Sequence, residues 1–186
     1  MNPDPFYFTI TIDQPAGLLL ALMVLCLLGT IITAWAMKIV SGFFLDKKNK
    51  KFFITQFQFP WSYEKFKMMV DDIPDHRKDA VRMQLRIDYY FMPFAYGLLF
   101  FAGCYVLWFT SKQLSNSVNH YTYLLWVPFL AWLFDIIENK LISSSLNQTS
   151  RTKTLLLLSV SLAKWILAVS FYLLAVVVYI IIRLNV

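Results

Sequence analysis

The sequence predicts an all-α polytopic membrane protein, a four-transmembrane-helix bundle with a cytoplasmic amphipathic helix. Three observations carry this prediction. Hydrophobic residues make up 59% of the 186-residue chain, against ~45–50% in soluble domains. They gather in runs of about twenty residues or more, enough to cross a ~30 Å hydrocarbon core as helix. The runs are unbroken rather than alternating with period two, which argues against barrel strands.

The first span is expected over about 15–40. It has no Lys or Arg before Lys38, so it lacks the positive n-region of a secretory signal peptide and should stay as a membrane helix. The second, third and fourth spans are expected over about 88–110, 121–142 and 154–182. Only Gly, Pro and charge clusters separate them, without repeats or low-complexity linkers. Residues 1–186 therefore read as a single membrane domain.

Between the first two spans, residues 62–86 form an interfacial helical connection. Tyr63, Phe66, Met69, Val70 and Ile73 recur at helical spacing, with Glu64, Lys65, Lys67, Asp71 and Asp72 on the other side. That pattern is an amphipathic helix lying in the interface, ended by Pro74. The stretch DHRKDAVRMQLRIDYY can run helically into the second span. The connection is either a solvated linker or a lid over the bundle.

The net charge is +6, and its distribution gives an orientation. Ten Lys and Arg lie between Lys47 and Arg86, and Arg151 and Lys153 follow the third span. The opposite side shows Lys112 and Arg183. The bias puts both termini outside and these connections in the cytoplasm, hence an integral membrane protein of the cell inner membrane if bacterial. Basic residues beside spans fit membrane lipids as partners and no nucleic acid. Trp35, Trp61, Trp108 and Trp126 fall near span ends as interfacial anchors do. Cys26 and Cys104 sit in apolar runs without a CxxC and read as small hydrophobes.

Hydrophilic residues interrupt the apolar runs at Asp88, Asp135, Glu138, Asn139 and Lys164. Such residues usually face a bundle interior, pair, and mark a site. Asp135, Glu138 and Asn139 stand at i, i+3 and i+4 and share one helix face. Two carboxylates there repel unless a cation or a proton intervenes. By helical rise Asp135 is roughly 10 Å and Lys164 roughly 15 Å from the cytoplasmic side, which makes Lys164 the expected counter-ion. Tyr96 is eight residues beyond Asp88 and on nearly the same face. Arg86 is the expected partner of Asp88. Pro93 and Pro128 can each kink a helix and open a pocket.

His76 and His120 fall in different compartments on this topology and cannot share a metal. There is no Ser-His-Asp set and no phosphate-cradling Gly loop, and neither metal nor cofactor is expected. A hard cation held by Asp88, Asp135 and Glu138 is a lesser alternative.

Three pieces together, Asp88-x-x-Phe91-x-Pro93-x-x-Tyr96, Asp135-Ile136-Ile137-Glu138-Asn139 and Lys164-Trp165, carry a resemblance over roughly 62–170. The chain resembles a group of small bacterial four-span membrane proteins of unknown function, with a D…P…Y second span and a DxxEN third span. The resemblance implies a site without naming an activity. A looser likeness is to sterol-isomerase and sigma-2-receptor-like membrane bundles. Their other acidic positions do not map here, so their chemistry is not carried over.

The expected function is binding or modification of a lipid-like or isoprenoid small molecule at a site open to the cytoplasmic leaflet. Whether the chain is an enzyme stays open. As a catalyst it would use Asp135 or Glu138 for proton transfer and Lys164 as electrostatic stabiliser. Asp88, Tyr96, Asn139 and Arg86 would bind the ligand. The alternatives are an oligomeric proton- or cation-linked transporter or channel subunit, for which a homo-oligomer is required, and a non-catalytic scaffold with the cluster as a clasp.

Overall fold

The computed structural model describes residues 16–114 and 123–184. The expected span starts at Pro15 and Tyr121, and His120, lie outside the described residues. The described chain is helical: α1 (Ala16–Ser41), α2 (Thr55–Gln58), α3 (Tyr63–Asp71), α4 (Asp75–Leu114), α5 (Val127–Ser145) and α6 (Arg151–Leu184). An isolated bridge between Leu45 and Lys51 is the extended pairing among the described residues.

Among the described residues, three helices are long and apolar enough to cross a membrane: α1, α4 as far as Thr110, and α6 as far as Ile180. The third apolar run of the sequence becomes α5, whose 19 residues include Asp135, Glu138 and Lys140. At 1.5 Å per residue α5 is roughly 28 Å long. Its charges, more than its length, set it apart from the other three.

Side chains are distributed inside out. Ile32 and Ile166 are each 63% exposed, whereas Glu138 is 0% exposed and Asp135, Asn139 and Lys164 are buried. Bare apolar stripes of this extent mark an interaction surface or an aggregation hazard in water. The pattern is consistent with an integral membrane protein whose outer face meets lipid.

Between helices, glycines set the close contacts. The Phe94 ring lies against Gly29, joining α1 to α4. A Cβ on Gly103 would fall 2.7 Å from a Phe171 ring carbon and 2.9 Å from a Leu125 methyl, so α6 and the turn that leads into α5 converge on α4 there. Small residues let backbones approach where lipid leaves no hydrophobic force between helices. Pro128, expected to kink its helix, instead sits in the first turn of α5. Its missing N–H has no intrahelical role in that turn, so the helix starts there without a break. Pro93 lies inside α4, which continues through it.

The connection 42–74 forms a cap over one end of the bundle. Within 62–86, Pro74 separates α3 from the first three turns of α4. The apolar face of α3 is covered by protein. Phe66, Val70 and Ile73 are buried in one cluster with Phe44, Phe57, Val81, Leu85, Ile142, Leu146 and Leu157. The periodicity marks an apolar face but not what covers it, and here the ends of α4, α5 and α6 do. Phe44 stacks on Phe52 at 5.1 Å, and Phe57 meets Phe66 edge-on at 5.9 Å.

A tight turn pins the cap. The Asp46 carboxylate accepts from the amides of Lys48 and Lys50, each at 2.8 Å. Asn49 takes φ 58°, a conformation that Asn tolerates better than most residues. Arg77 of α4 then donates to Asp46 O at 2.7 Å and to Asn49 Oδ1 at 2.9 Å. Lys47 Nζ donates to Asp71 O at 2.6 Å. Two of the basic residues that define the charge bias thus also fasten the cap to α3 and α4.

Candidate functional site

The polar residues meet between two apolar clusters. On one side is the cap cluster; on the other Met92, Tyr96 and Ala131 pack with Leu99, Trp132 and Leu167. The structure brings together Asp88 and Tyr96 from α4, Asp135, Glu138 and Asn139 from α5, and Lys164 from α6.

Lys164 is the hub. Its Nζ donates to Asp135 Oδ1 at 2.9 Å and to Glu138 Oε1 at 2.7 Å. The i, i+3 spacing puts both carboxylates on the face of α5 that α6 covers, so one ammonium spans them. Tyr96 donates its hydroxyl to Asp135 Oδ2 at 2.9 Å. Asn139 Nδ2 donates to Asp88 Oδ2 at 2.7 Å. Tyr96 and Asp88, two turns apart on α4, therefore both face α5.

Arg86 does not fulfil the pairing expected for it. It is exposed and makes no ion pair with Asp88 among the described residues. The pair stand two positions apart on α4, so the helix turns them to different faces. Asn139 takes the role of Asp88's partner.

The cap adds a member that the charge pattern did not reveal. Gln58 Nε2 donates to Glu138 Oε1 at 2.9 Å. Its signal was faint: one of two amides, Gln56 and Gln58, among the aromatics of FFITQFQFPW, with no periodicity to aim it. Gln84, one turn before Asp88 on α4, is a second amide that sequence reasoning missed. It is buried, and its Oε1 has no hydrogen-bond partner. Glu138 Oε2 is likewise buried without a partner.

A cavity of ≈ 350 Å³ opens beside this cluster, within the range typical of small-molecule pockets. Gln58, Gln84, Asp88, Asp135, Asn139 and Lys164 make its polar end. Met37, Phe91, Leu99 and Trp165 line the remainder, drawn from α1, α4 and α6. Glu138 is not part of the lining, so it acts from behind Lys164.

Counting formal charges, three carboxyl groups (Asp88, Asp135, Glu138) face one ammonium. Asp135 and Glu138 are buried with Lys164, while Asp88 is partly exposed where it lines the cavity. Among the described residues no group of three or more His, Cys, Asp or Glu is placed to hold a metal ion. Lys164 occupies the position between Asp135 and Glu138 that a bound cation would need. Cys26 and Cys104 are both free thiols. Comparison of the chain with protein-family models, with curated proteins and with solved structures gives no match.

Proposed function

We propose that this chain is a four-span membrane protein that binds a lipid-like or isoprenoid small molecule in the cavity beside Lys164. The observation that carries the reading is the two-sided lining of that cavity. Its polar end carries Asp135 held by Lys164 and Asp88 held by Asn139, while its walls are apolar. Such a cavity suits a molecule with a small polar head and a hydrocarbon body. If the protein is an enzyme, Asp135 is the group placed for proton transfer. It lines the cavity, and Tyr96 and Lys164 hold its two oxygens in place. Glu138 and Gln58 then position Lys164 and the cap.

The ligand is tested by mass spectrometry of what co-purifies with the gently solubilised protein. An amphipathic molecule enriched on wild type and lost on Gln84→Leu and Asp88→Asn is the expected result. The same bulk lipid on all three proteins would move the reading to a structural clasp.

In the same proposal α5 is the third span, the cap is cytoplasmic and both termini are outside. Support comes from the ten Lys and Arg of the first connection. It also comes from the ends of α1 and α5 and the starts of α4 and α6, which all join the cap cluster through Val40, Ile142, Val81 and Leu157. Cysteines introduced as Lys50→Cys and Asn116→Cys check it with an impermeant maleimide on intact cells. Labelling at position 116 alone is expected, and labelling at position 50 alone would reverse the topology.

A further inference from the structure

A second cavity lies between α4 and the last two turns of α5, at the capped end of the bundle. It measures ≈ 460 Å³ and is lined by Arg82, Arg86 and Tyr89 of α4, and by Lys140, Ser143 and Ser144 of α5 among others. The spacing 82, 86, 89 puts the α4 residues on one helix face.

We propose that this cavity is an anion site for a phosphate monoester, whether a lipid headgroup or a free phosphate compound. It goes beyond the apolar cavity and does not rest on it, although Leu85 and Asn139 line both.

The charge balance carries the assignment. Three cations line the cavity, and none of the described lining residues is a carboxylate. Arg82 is partly committed: it donates to Asp79 Oδ1 at 2.6 Å and to Asn147 Oδ1 at 2.7 Å. Arg86 and Lys140 have no ion pair among the described residues. Against them stands the C-terminal end of α5, equivalent to about half a negative charge. Two uncompensated cations outweigh it.

The donors also match in kind. A phosphate monoester carries about −1.5 to −2 charges on three oxygens. The Arg86 fork can engage two oxygens side by side, and Lys140 supplies a compact charge from the facing helix. The hydroxyls of Ser143, Ser144 and Tyr89 can donate to whatever lone pairs remain. A carboxylate would use only part of this set. The phosphodiester of an ordinary membrane lipid brings one charge where this cavity is built for nearly two.

The test uses the full chain in detergent micelles, titrated with phosphatidic acid and followed by native mass spectrometry. Arg86→Gln combined with Lys140→Gln removes two charges from the cavity. Lys65→Gln combined with Lys67→Gln removes two from the exposed side of α3. Phosphatidic acid is expected to bind wild type and the α3 pair alike. The cavity pair should bind it about a hundredfold more weakly, near tenfold for each charged contact. The charge-keeping pair Arg86→Lys and Lys140→Arg is expected to retain most of the binding, which separates charge loss from misfolding. Excess inorganic phosphate that displaces the lipid identifies a site for free phosphate compounds. Failure to displace it, with the cavity pair still weak, identifies a lipid headgroup site. Equal binding to all variants, or equal loss from both Gln pairs, overturns the proposal.

Discussion

Lys164→Met is expected to lower stability by about 3–5 kcal/mol, the usual cost of leaving a buried charge without its partner. Lys164 neutralises both Asp135 and Glu138, and neither carboxylate has another cation within reach among the described residues. Tyr96 and Gln58 each supply one neutral donor, which does not replace an ammonium. Methionine keeps the unbranched stem of the side chain as far as Cε, so most of the loss is that of the charge. Thermal unfolding in detergent, read by intrinsic fluorescence, would measure it. The triple variant Lys164→Met, Asp135→Asn, Glu138→Gln is expected to regain most of the stability, because replacing a whole buried ion group is often close to neutral. If the single variant melts at the wild-type temperature, the ion triad is not what joins α5 to α6. A triple variant that is stable yet carries no co-purified ligand would separate the clasp role from the binding role.

The second large effect is expected in the cap. Phe57 is fully buried, and its ring contacts those of Phe52 and Phe66. Phe57→Ala should cost about 3–5 kcal/mol, which is transfer energy plus the cavity left behind. The buried cap residues Phe44, Phe52, Phe66, Val70 and Ile73 share one cluster with Phe57, so the loss should appear as local opening of that unit rather than global unfolding. Hydrogen exchange across 44–73 is expected to accelerate at least about a hundredfold, at 1.4 kcal/mol for each factor of ten. Exchange within the spans of α4 and α6 should not change. Opening would also withdraw Gln58 from Glu138 and, under the proposed function, hasten ligand exchange at the cavity that Gln58 lines. Uniform acceleration through the whole chain would show that the cap is not a separate unit and does not open as a lid.

These two expectations rest on different kinds of information. That of Lys164 was legible in the sequence. A lysine in LLLLSVSLAKWILAV and two acids at i and i+3 in a neighbouring apolar run have few partners but one another. Helical periodicity fixes which side chains share a face, and lipid penalises any charge left outside a pair. The same two rules made Asp88 and Tyr96 point together. The Phe57 expectation was not legible. The residues of α3 gave the same apolar pattern for an interfacial helix as for a packed lid, because periodicity marks a face without naming its neighbour.

The sequence by itself therefore determined the helices, the apolar faces and the set of ionisable residues that must be buried together. Those follow from local geometry and from solvation, and both are properties of a segment and its solvent. The tertiary structure alone decided what covers each face. It put Asn139, not Arg86, on Asp88, since two residues along a helix change the face. It turned Phe66 and Val70 toward protein, and sent Gln58 from the cap to Glu138. It also opened one cavity beside Lys164 and another beside Arg86. Each of these depends on the approach of segments far apart in the chain, which packing sets and no local pattern encodes.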